Sequence, residues 1–295
     1  MKKIKAVWEL MRLEHGVMIF LAILIGSLIA LNGERLPDLK NLILTFFTAL
    51  FLEASTFALN DYYDLEIDKK NKRKDRPLVR GDLSPKTALI IFFIFFPLGI
   101  ICSYFVNLEC FIIALFTALL AILYDAKMKK IKLIGNFYIA YVMAIPFIFG
   151  GVSVIESDLL SFEIQPAIYI IALIAFLAGS GREIMKDVMD FEGDRRSGVK
   201  SFPRYIGSHR SNIVAGFFYV FAVVLSFVPF FMRVFGVYYR NFYYLFLVLV
   251  TDVLLLFVSF ELVFKKRPDM RLCRFLSLIG IFVGLVAFLL GVFVS

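Results

Sequence analysis

Apolar residues in this chain fall into long, nearly continuous runs, and the charged residues gather between them. A run of about 20 mostly apolar residues is long enough to cross a bilayer as a helix. The runs are too long and too continuous for the alternating strands of a membrane barrel. The pattern therefore predicts an all-α, polytopic membrane protein with nine spans. The predicted spans are 16–32, 39–60, 86–106, 109–125, 133–155, 166–185, 211–232, 241–264 and 273–294.

Composition supports one membrane domain over residues 1–295. The chain is 61% hydrophobic, whereas soluble domains average about 45–50% apolar residues. No long polar stretch is present that could form a separate soluble domain.

Basic residues are concentrated on one side of the predicted bundle. Of the 32 Lys and Arg residues, 28 lie in the N-terminal segment or in the loops after spans 2, 4, 6 and 8, and four lie on the other side. Cytoplasmic loops carry the excess of Lys and Arg. We therefore expect a multi-pass protein of the cell membrane with a cytoplasmic N-terminus and an outer C-terminus. The net charge of +8 reflects this bias and does not indicate a nucleic-acid partner.

An internal repeat organises the chain. Residues 61–68 and 187–194 both have the pattern D-x-x-D-x-E-x-D, at an offset of 126 residues. The same offset aligns Pro77 with Pro203 and Gly81 with Gly207. A repeat of this kind predicts two pseudo-repeated four-helix units, about 16–125 and 133–264, followed by a ninth helix. Both motifs are then expected at one depth on the cytoplasmic side, facing each other.

The spacing of the acids indicates a metal site. On a helix, Asp61, Asp64 and Asp68 share one face, and Asp187, Asp190 and Asp194 repeat the arrangement. Acids at a helix C-terminus are unfavourable because the macrodipole is negative there. Oxygen-rich ligand sets without His suit Mg²⁺ or Mn²⁺, and Mg²⁺ commonly shares its ligands with substrate phosphates. Flanking Lys and Arg residues favour a metal–diphosphate rather than a passing cation.

The motifs resemble those of the UbiA superfamily of intramembrane prenyltransferases. Asn60-Asp61-x-x-Asp64-x-x-x-Asp68, followed by Arg73 and Arg76-Pro77, is similar to the family's first aspartate-rich motif. Asp187-x-x-Asp190-x-x-x-Asp194 is similar to the second. Tyr124 with Lys129, then Gly135-Asn136, resembles the Tyr/Lys motif after span 4. Some members have a shorter spacing there, so Lys127 and Lys129 both remain candidates.

The resemblance implies the transfer of a polyprenyl group, such as geranylgeranyl, from its diphosphate to a small acceptor, through an allylic cation and with Mg²⁺. It implies a lipid-open channel for the prenyl tail. The implied catalytic acids are Asp61, Asp64, Asp68, Asp187, Asp190 and Asp194. The implied metal ligands are Asn60, Asp64, Asp68, Asp187, Asp190 and Asp194. The implied diphosphate-binding residues are Asn60, Arg73, Arg76, Tyr124, Lys127, Lys129, Arg182 and Lys186.

Two acceptor classes remain open at this point. The segment Gly181-Arg182-Glu183-Ile184-x-Lys186-Asp187 resembles the archaeal ether-lipid branch, whose acceptor is geranylgeranylglyceryl phosphate. The segment Arg12-Leu13-Glu14-His15 resembles the branches that prenylate aromatic quinone precursors. We favour the ether-lipid branch slightly.

The principal alternative is a transporter with paired carboxylates. Parallel repeats and Glu53 inside span 2 would suit it, because an intramembrane acid is commonly functional. Most acids, however, lie at one face rather than at the midplane. A CDP-alcohol phosphotransferase is excluded because its motif needs Gly after the second Asp, where this chain has Phe191.

The segments after the motifs, 69–85 and 195–210, are polar, basic and contain Pro and Gly. Loops of this kind can close over a site and exclude water. We therefore expect both segments to order as cytoplasmic caps containing short helices.

Overall fold

The computed structural model describes residues 2–70, 72–156, 160, 162–196 and 198–294. Within this part of the chain the secondary structure is helical, and nine helices are long and apolar enough to cross a membrane. The predicted fold class, a polytopic all-α membrane protein with nine spans, is confirmed. The spans run over Lys3–Ala30, Leu39–Lys70, Pro85–Val106, Leu108–Ala126, Lys132–Val152, Pro166–Gly193, Ser208–Phe231, Phe242–Phe264 and Met270–Phe293.

Thirteen α-helices make up these spans and their connections in the described residues. In chain order they are α1 (Lys2–Met11), α2 (Leu13–Ala30), α3 (Leu39–Lys70), α4 (Pro77–Arg80), α5 (Pro85–Val106), α6 (Leu108–Ala126), α7 (Lys132–Val152), α8 (Pro166–Arg196), α9 (Phe202–Ile206), α10 (Ser208–Ser226), α11 (Val228–Phe231), α12 (Phe242–Phe264) and α13 (Met270–Phe293). Short 3-10 segments cover Met128–Lys130 and Arg233–Tyr238.

The chain divides into two compact units. The first comprises Met1–Leu24, Pro37–Lys127 and Val152–Phe162; the second comprises Ile25–Leu36, Met128–Gly151 and Glu163–Ser295. Each unit contains one of the aspartate-rich motifs. In the first unit α3 packs along α5, and in the second α8 packs along α10. In each unit, therefore, the motif helix packs along the next long helix in the chain.

The two motif helices are longer than their apolar stretches. The predicted spans ended at residues 60 and 185, but α3 continues to Lys70 and α8 to Arg196. Both aspartate-rich motifs are therefore helical, which puts acids three and four residues apart on one helix face. Hydropathy alone ends a span where charged residues become frequent, although the helix continues into the polar region.

A short helix follows each motif helix. The segment 69–85 contains α4, and the segment 195–210 contains α9, so both contain the short helix expected from the sequence. Pro77 begins α4, and Pro203 lies in the first turn of α9. Gly81 and Gly207 follow the two helices with φ of +79° and +83°, a region that favours glycine. The repeat in sequence thus corresponds in both units to a short helix followed by a glycine of positive φ, although ψ differs, at 12° for Gly81 and 156° for Gly207.

Small residues allow close helix packing within the second unit. A Cβ atom placed on Gly26 of α2 would lie only 2.1 Å from the carbonyl oxygen of Phe147 on α7. The neighbouring Ser27 Oγ donates a hydrogen bond of 3.0 Å to the carbonyl oxygen of Gly150. Membrane helices lack a strong hydrophobic drive to associate, so close backbone approach supplies much of their packing energy.

We predict that Gly26→Ala lowers the thermal stability of the protein by several degrees in detergent. The obstructing atom belongs to the backbone and cannot rotate away, and overpacking of this kind costs about 1–3 kcal/mol. Gly280→Ala is the matched control, because its Cβ would lie 3.3 Å from the flexible end of Leu255. An unchanged melting temperature for Gly26→Ala would contradict the close packing of α2 on α7.

Candidate active site

Asp61, the first acid of the first motif, is buried and bound by two guanidinium groups. Its side chain is 2% exposed. Its Oδ1 accepts hydrogen bonds of 2.6 Å from Arg12 Nη2 and of 2.6 Å from Arg76 Nη1. Arg12 comes from the junction of α1 and α2, and Arg76 immediately precedes α4. Asp61 therefore links the motif helix to the N-terminal segment and to the segment that follows the motif.

Arg12 is held in an unusual backbone conformation. Its φ is +47°, a region that non-glycine residues enter rarely. Its guanidinium carbon lies 4.2 Å from the centroid of the Phe57 ring, one helical turn before Asp61. The cation–π contact and the ion pair together fix the guanidinium group over α3.

The other polar side chains of the first motif, Asn60, Asp64 and Asp68, differ in burial and in hydrogen-bonding partners. Asn60 donates from Nδ2 to Oδ1 of Asp125 on α6 over 2.5 Å. Asp68 is 8% exposed, and its Oδ2 lies 3.8 Å from Arg76 Nε. Asp64 is half-buried. Arg76 thus contacts both the first and the last acid of the motif.

The segment after the first motif carries its own ion pairs. Arg73 donates from Nε and Nη2 to the two carboxylate oxygens of Asp75, over 2.9 and 2.7 Å. These hydrogen bonds lower the pKa of Asp75 below its ordinary value. Arg80 donates to Asp82 over 2.6 Å and forms an ion pair with Glu9 of α1. These contacts fix α4 against the N-terminal helix.

The second motif begins with an acid in the same kind of environment. Asp187 is 2% exposed. Its Oδ2 accepts a hydrogen bond of 2.8 Å from Asn136 Nδ2, and its Oδ1 lies 3.3 Å from Lys132 Nζ. Lys132 is the first residue of α7, and Arg12 immediately precedes α2. In both units, a cation at the start of the first long helix binds the first acid of the motif.

The basic residues of α8 are held by local partners. Lys186 Nζ donates to both carboxylate oxygens of Glu183, over 2.9 and 2.8 Å. Arg182 Nη1 donates to Ser277 Oγ over 3.1 Å and to the carbonyl oxygen of Arg274 over 3.2 Å, both on α13. Arg182 thereby joins α8 to α13 within the second unit.

The other predicted residues lie at the polar ends of their helices. Asp190 is exposed, and the side chain of Asp194 lies outside the part of the chain that is described. Tyr124 is half-buried near the end of α6, and Lys127 is exposed just beyond it. Lys129 lies in the 3-10 segment, and its Nζ is buried. Burial thus separates the two lysines that the sequence left as alternatives.

Four partners of the motif residues have no role that the sequence alone predicts. Arg12 and Asn136 belong to segments that resemble family motifs, and Asp125 and Lys132 have no motif of their own. Each lies next to a recognised feature: Asp125 follows Tyr124, and Lys132 begins a span. Their contacts depend on helix packing, which residue spacing along one helix does not define.

The oxygen ligands of each motif suit a hard cation, although one motif does not supply enough of them to complete a coordination shell. Within the described residues, no three His, Cys, Asp or Glu side chains converge closely enough to hold a metal ion. The available groups on α3 and α8 are carboxylate and amide oxygens, which Mg²⁺ prefers. Mg²⁺ usually completes its shell with water and phosphate oxygens. The residues therefore fit an ion that arrives with a phosphate-bearing substrate.

Comparison with known proteins identifies the family. The model of the UbiA prenyltransferase family matches residues 19–286. The chain belongs to the UbiA prenyltransferase family and is an intramembrane prenyltransferase. The resemblance inferred from the two aspartate-rich motifs is thereby confirmed, and the prenyltransferase interpretation prevails over the transporter.

Relatives match along nearly the whole chain. Digeranylgeranylglyceryl phosphate synthase of Archaeoglobus fulgidus is 42% identical over 98% of this chain and 96% of its own length. The synthase of the same name from Pyrococcus furiosus is 31% identical over 98% of each chain. A solved structure described as giving insights into digeranylgeranylglyceryl phosphate synthase in membranes has a TM-score of 0.81 at 34% identity, covering 99% of both chains.

A more distant structure shares the fold. A UbiA homolog from Archaeoglobus fulgidus, bound to GPP and Mg²⁺, has a TM-score of 0.60 at 16% identity and covers 96% of this chain and 99% of its own. At this identity the likeness shows a common helical architecture.

We predict that Asp61→Asn destabilises the protein strongly. Removing the carboxylate charge leaves Arg12 and Arg76 close together, with Arg76 keeping only its longer contacts of 3.8 Å to Asp68 and 3.9 Å to Asp75. Breaking a buried pair costs about 3–5 kcal/mol. Glu66→Gln is the matched control on the same helix. Glu66 pairs with Lys69 over 2.8 Å, but its side chain is 75% exposed, and exposed pairs contribute at most about 1 kcal/mol.

Thermal unfolding in one detergent, followed by tryptophan fluorescence or light scattering, measures both variants. We expect a drop of several degrees for Asp61→Asn and a change near zero for Glu66→Gln. Equal melting temperatures for the two variants would contradict the structural role of the Asp61 pairs.

Proposed function

We propose that this chain transfers a geranylgeranyl group from its diphosphate to geranylgeranylglyceryl phosphate, giving digeranylgeranylglyceryl phosphate. The observation that carries the proposal is the 42% identity to a synthase of that name over 98% of the chain. The segment from Gly181 to Asp187, which resembles the ether-lipid branch, supports the same acceptor. The aromatic acceptor is the second candidate, supported by the segment from Arg12 to His15.

The acids of both motifs are proposed to bind Mg²⁺ and, through it, the diphosphate. Asp64 and Asp190 are the principal ligands in this proposal because they are less buried than Asp61 and Asp187. The other proposed ligands, acting directly or through water, are Asn60, Asp68, Asp187 and Asp194. When bound, Mg²⁺ supplies positive charge that stabilises the departing diphosphate.

Asp61 has a different proposed role. Both of its guanidinium partners bind Oδ1 at 2.6 Å, so the carboxylate is engaged in holding Arg12 and Arg76 in place. We assign Asp61 to positioning rather than to direct metal binding. Arg76 is then oriented along the acidic face of α3, where it can meet a phosphate oxygen.

Basic side chains at the polar ends of the helices are proposed to bind the diphosphate oxygens. Lys129 is favoured over Lys127 because its Nζ is buried while Lys127 is exposed. Arg73 would exchange its pairing with Asp75 for a phosphate group, two oxygens of which a planar guanidinium binds in the same bidentate way. The further proposed contacts are Asn60, Arg76, Tyr124, Arg182 and Lys186.

The reaction makes one ether bond and breaks one phosphate ester. The bond between C1 of the prenyl chain and the diphosphate oxygen breaks, and the diphosphate leaves with the electron pair. The acceptor hydroxyl oxygen captures the allylic cation and then loses its proton to the released diphosphate. Water would capture the same cation and give a prenyl alcohol, so the site has to exclude it. We propose that the segments 69–85 and 195–210, with their short helices, cover the site for this reason.

The proposed orientation places the N-terminus and both motifs at the cytoplasmic face and the C-terminus outside. The support is the distribution of basic residues, 28 on the motif side against four on the other. A cytoplasmic site has direct access to soluble diphosphate and Mg²⁺.

The proposal is tested with purified protein, geranylgeranyl diphosphate, Mg²⁺ and one acceptor at a time, with products identified by mass spectrometry. We expect geranylgeranylglyceryl phosphate to react at least about 100-fold faster than 4-hydroxybenzoate, because a site that pairs with the acceptor's polar groups discriminates strongly. Chelation of Mg²⁺ should stop turnover, and its return should restore it. Comparable rates with the aromatic acceptor would overturn the acceptor assignment.

A further inference from the structure

The connection between α10 and α12 carries two arginines on the side of the membrane where basic residues are scarce. Arg233 and Arg240 are two of only four Lys or Arg residues on the side opposite the motifs. Both are exposed. Among the residues the structure describes, neither guanidinium group has a carboxylate or hydrogen-bonding partner. The two charges are therefore available to a ligand.

The two arginines share one aromatic ring. The guanidinium carbon of Arg233 lies 5.8 Å from the centroid of the Tyr239 ring, and that of Arg240 lies 5.3 Å from the same centroid. Cation–π contacts of this kind orient the side chains but do not neutralise their charge. Two uncompensated cations around one ring favour a bound anion.

The backbone around Arg240 is constrained on both sides of the residue. Arg240 has a φ of +55°, a conformation that costs free energy for a residue with a side chain. Its N–H donates a hydrogen bond of 2.9 Å to the carbonyl oxygen of Phe230. Asn241 directly follows Arg240 and caps α12, because its side-chain Oδ1 accepts a hydrogen bond of 3.0 Å from the N–H of Tyr244. Arg240 is thus fixed on both sides.

An aromatic cavity of about 500 Å³ adjoins Arg240. Its lining consists of Phe230, Phe231, Tyr239, Arg240, Phe242 and Leu245. Phe231 is 67% exposed and Phe242 is 71% exposed, which fits contact with lipid chains at the end of a span. A free anion would leave these apolar walls unused, whereas a lipid supplies both a charged headgroup and an apolar chain.

We infer that this connection is a binding site for an anionic membrane lipid. The lipid phosphate contacts Arg240, with the charge of Arg233 adding to the attraction, and a hydrocarbon chain occupies the aromatic cavity. Polar groups over an apolar pocket are the usual composition of small-molecule sites, and arginines near a membrane surface attract anionic headgroups. The inference does not depend on the proposed prenyl transfer.

The test compares lipid retention by native mass spectrometry of the full chain, with phosphatidylglycerol and phosphatidylcholine of identical acyl chains. We expect the wild-type protein to retain the anionic lipid roughly tenfold better. The double variant Arg233→Gln/Arg240→Gln should lose this preference. Arg35→Gln/Lys40→Gln is the matched control, because it removes the other two basic residues of the same side, and it should keep the preference.

A second variant tests the cavity without changing charge. Leu245→Trp fills the apolar space and should reduce retention of the anionic lipid, while inorganic phosphate at millimolar concentration should not displace the lipid from the wild-type protein. Equal retention by wild type and the Arg233/Arg240 variant would overturn the site. An equal loss in the Arg35/Lys40 control, or displacement by inorganic phosphate, would also overturn it.

Discussion

Carboxylates at the carboxyl-terminal ends of two membrane-spanning helices have to be neutralised, because the helix macrodipole is negative there and the bilayer is close. The fold meets this requirement in part with its own cations. Asp61 is bound by Arg12 and Arg76, and Asp187 by Lys132 and Asn136. The acids further along each helix are left to a metal ion and its phosphate ligand in the proposed function. In the proposed function Asp61 has a positioning role, whereas Asp187 combines its pairing with Lys132 with metal binding.

The internal repeat explains why the arrangement occurs twice. In each unit a long motif helix continues past its apolar stretch, and a short helix follows it and ends at a glycine of positive φ. The first acid of the motif binds a cation at the start of the unit's first long helix. The sources of these cations differ, because Arg12 lies between two helices while Lys132 begins one. The two units therefore share the pairing of the first acid with a cation, although the cations differ in residue type and position.

Much of this organisation could be predicted from local pattern. Apolar runs defined nine spans, and three- and four-residue spacing placed the acids on one helix face. The shared offset of Pro77 with Pro203 anticipated the two short helices. Contacts between helices could not be obtained in the same way: the pairing of Asn60 with Asp125 joins residues 65 positions apart. Such contacts depend on helix rotation and packing, which hydropathy and spacing do not encode.

Burial refined the candidate site where sequence left alternatives. The resemblance implies Asp64 but not Asp61 as a metal ligand, and the burial of the two acids supports this distinction. Asp61 is 2% exposed and doubly paired, while Asp64 is half-buried. Likewise, the sequence leaves Lys127 and Lys129 as equal candidates, whereas in the structure Lys127 is exposed and the Nζ of Lys129 is buried. The accessible acids of α3 and α8 are consequently the ones proposed to meet the substrate.

The central proposal is that acids of both motifs contribute to binding one Mg²⁺-bound diphosphate. A double-mutant cycle on Asp64→Asn and Asp190→Asn tests it, with affinity for a non-hydrolysable geranylgeranyl thiodiphosphate measured by calorimetry in Mg²⁺. Glu66→Gln and Glu192→Gln are the controls, since they neutralise the exposed motif acids. The account predicts that each Asp variant loses most of the affinity and that the double variant loses little more, while the controls bind normally. Strictly additive losses, or unchanged affinity in either Asp variant, would contradict it.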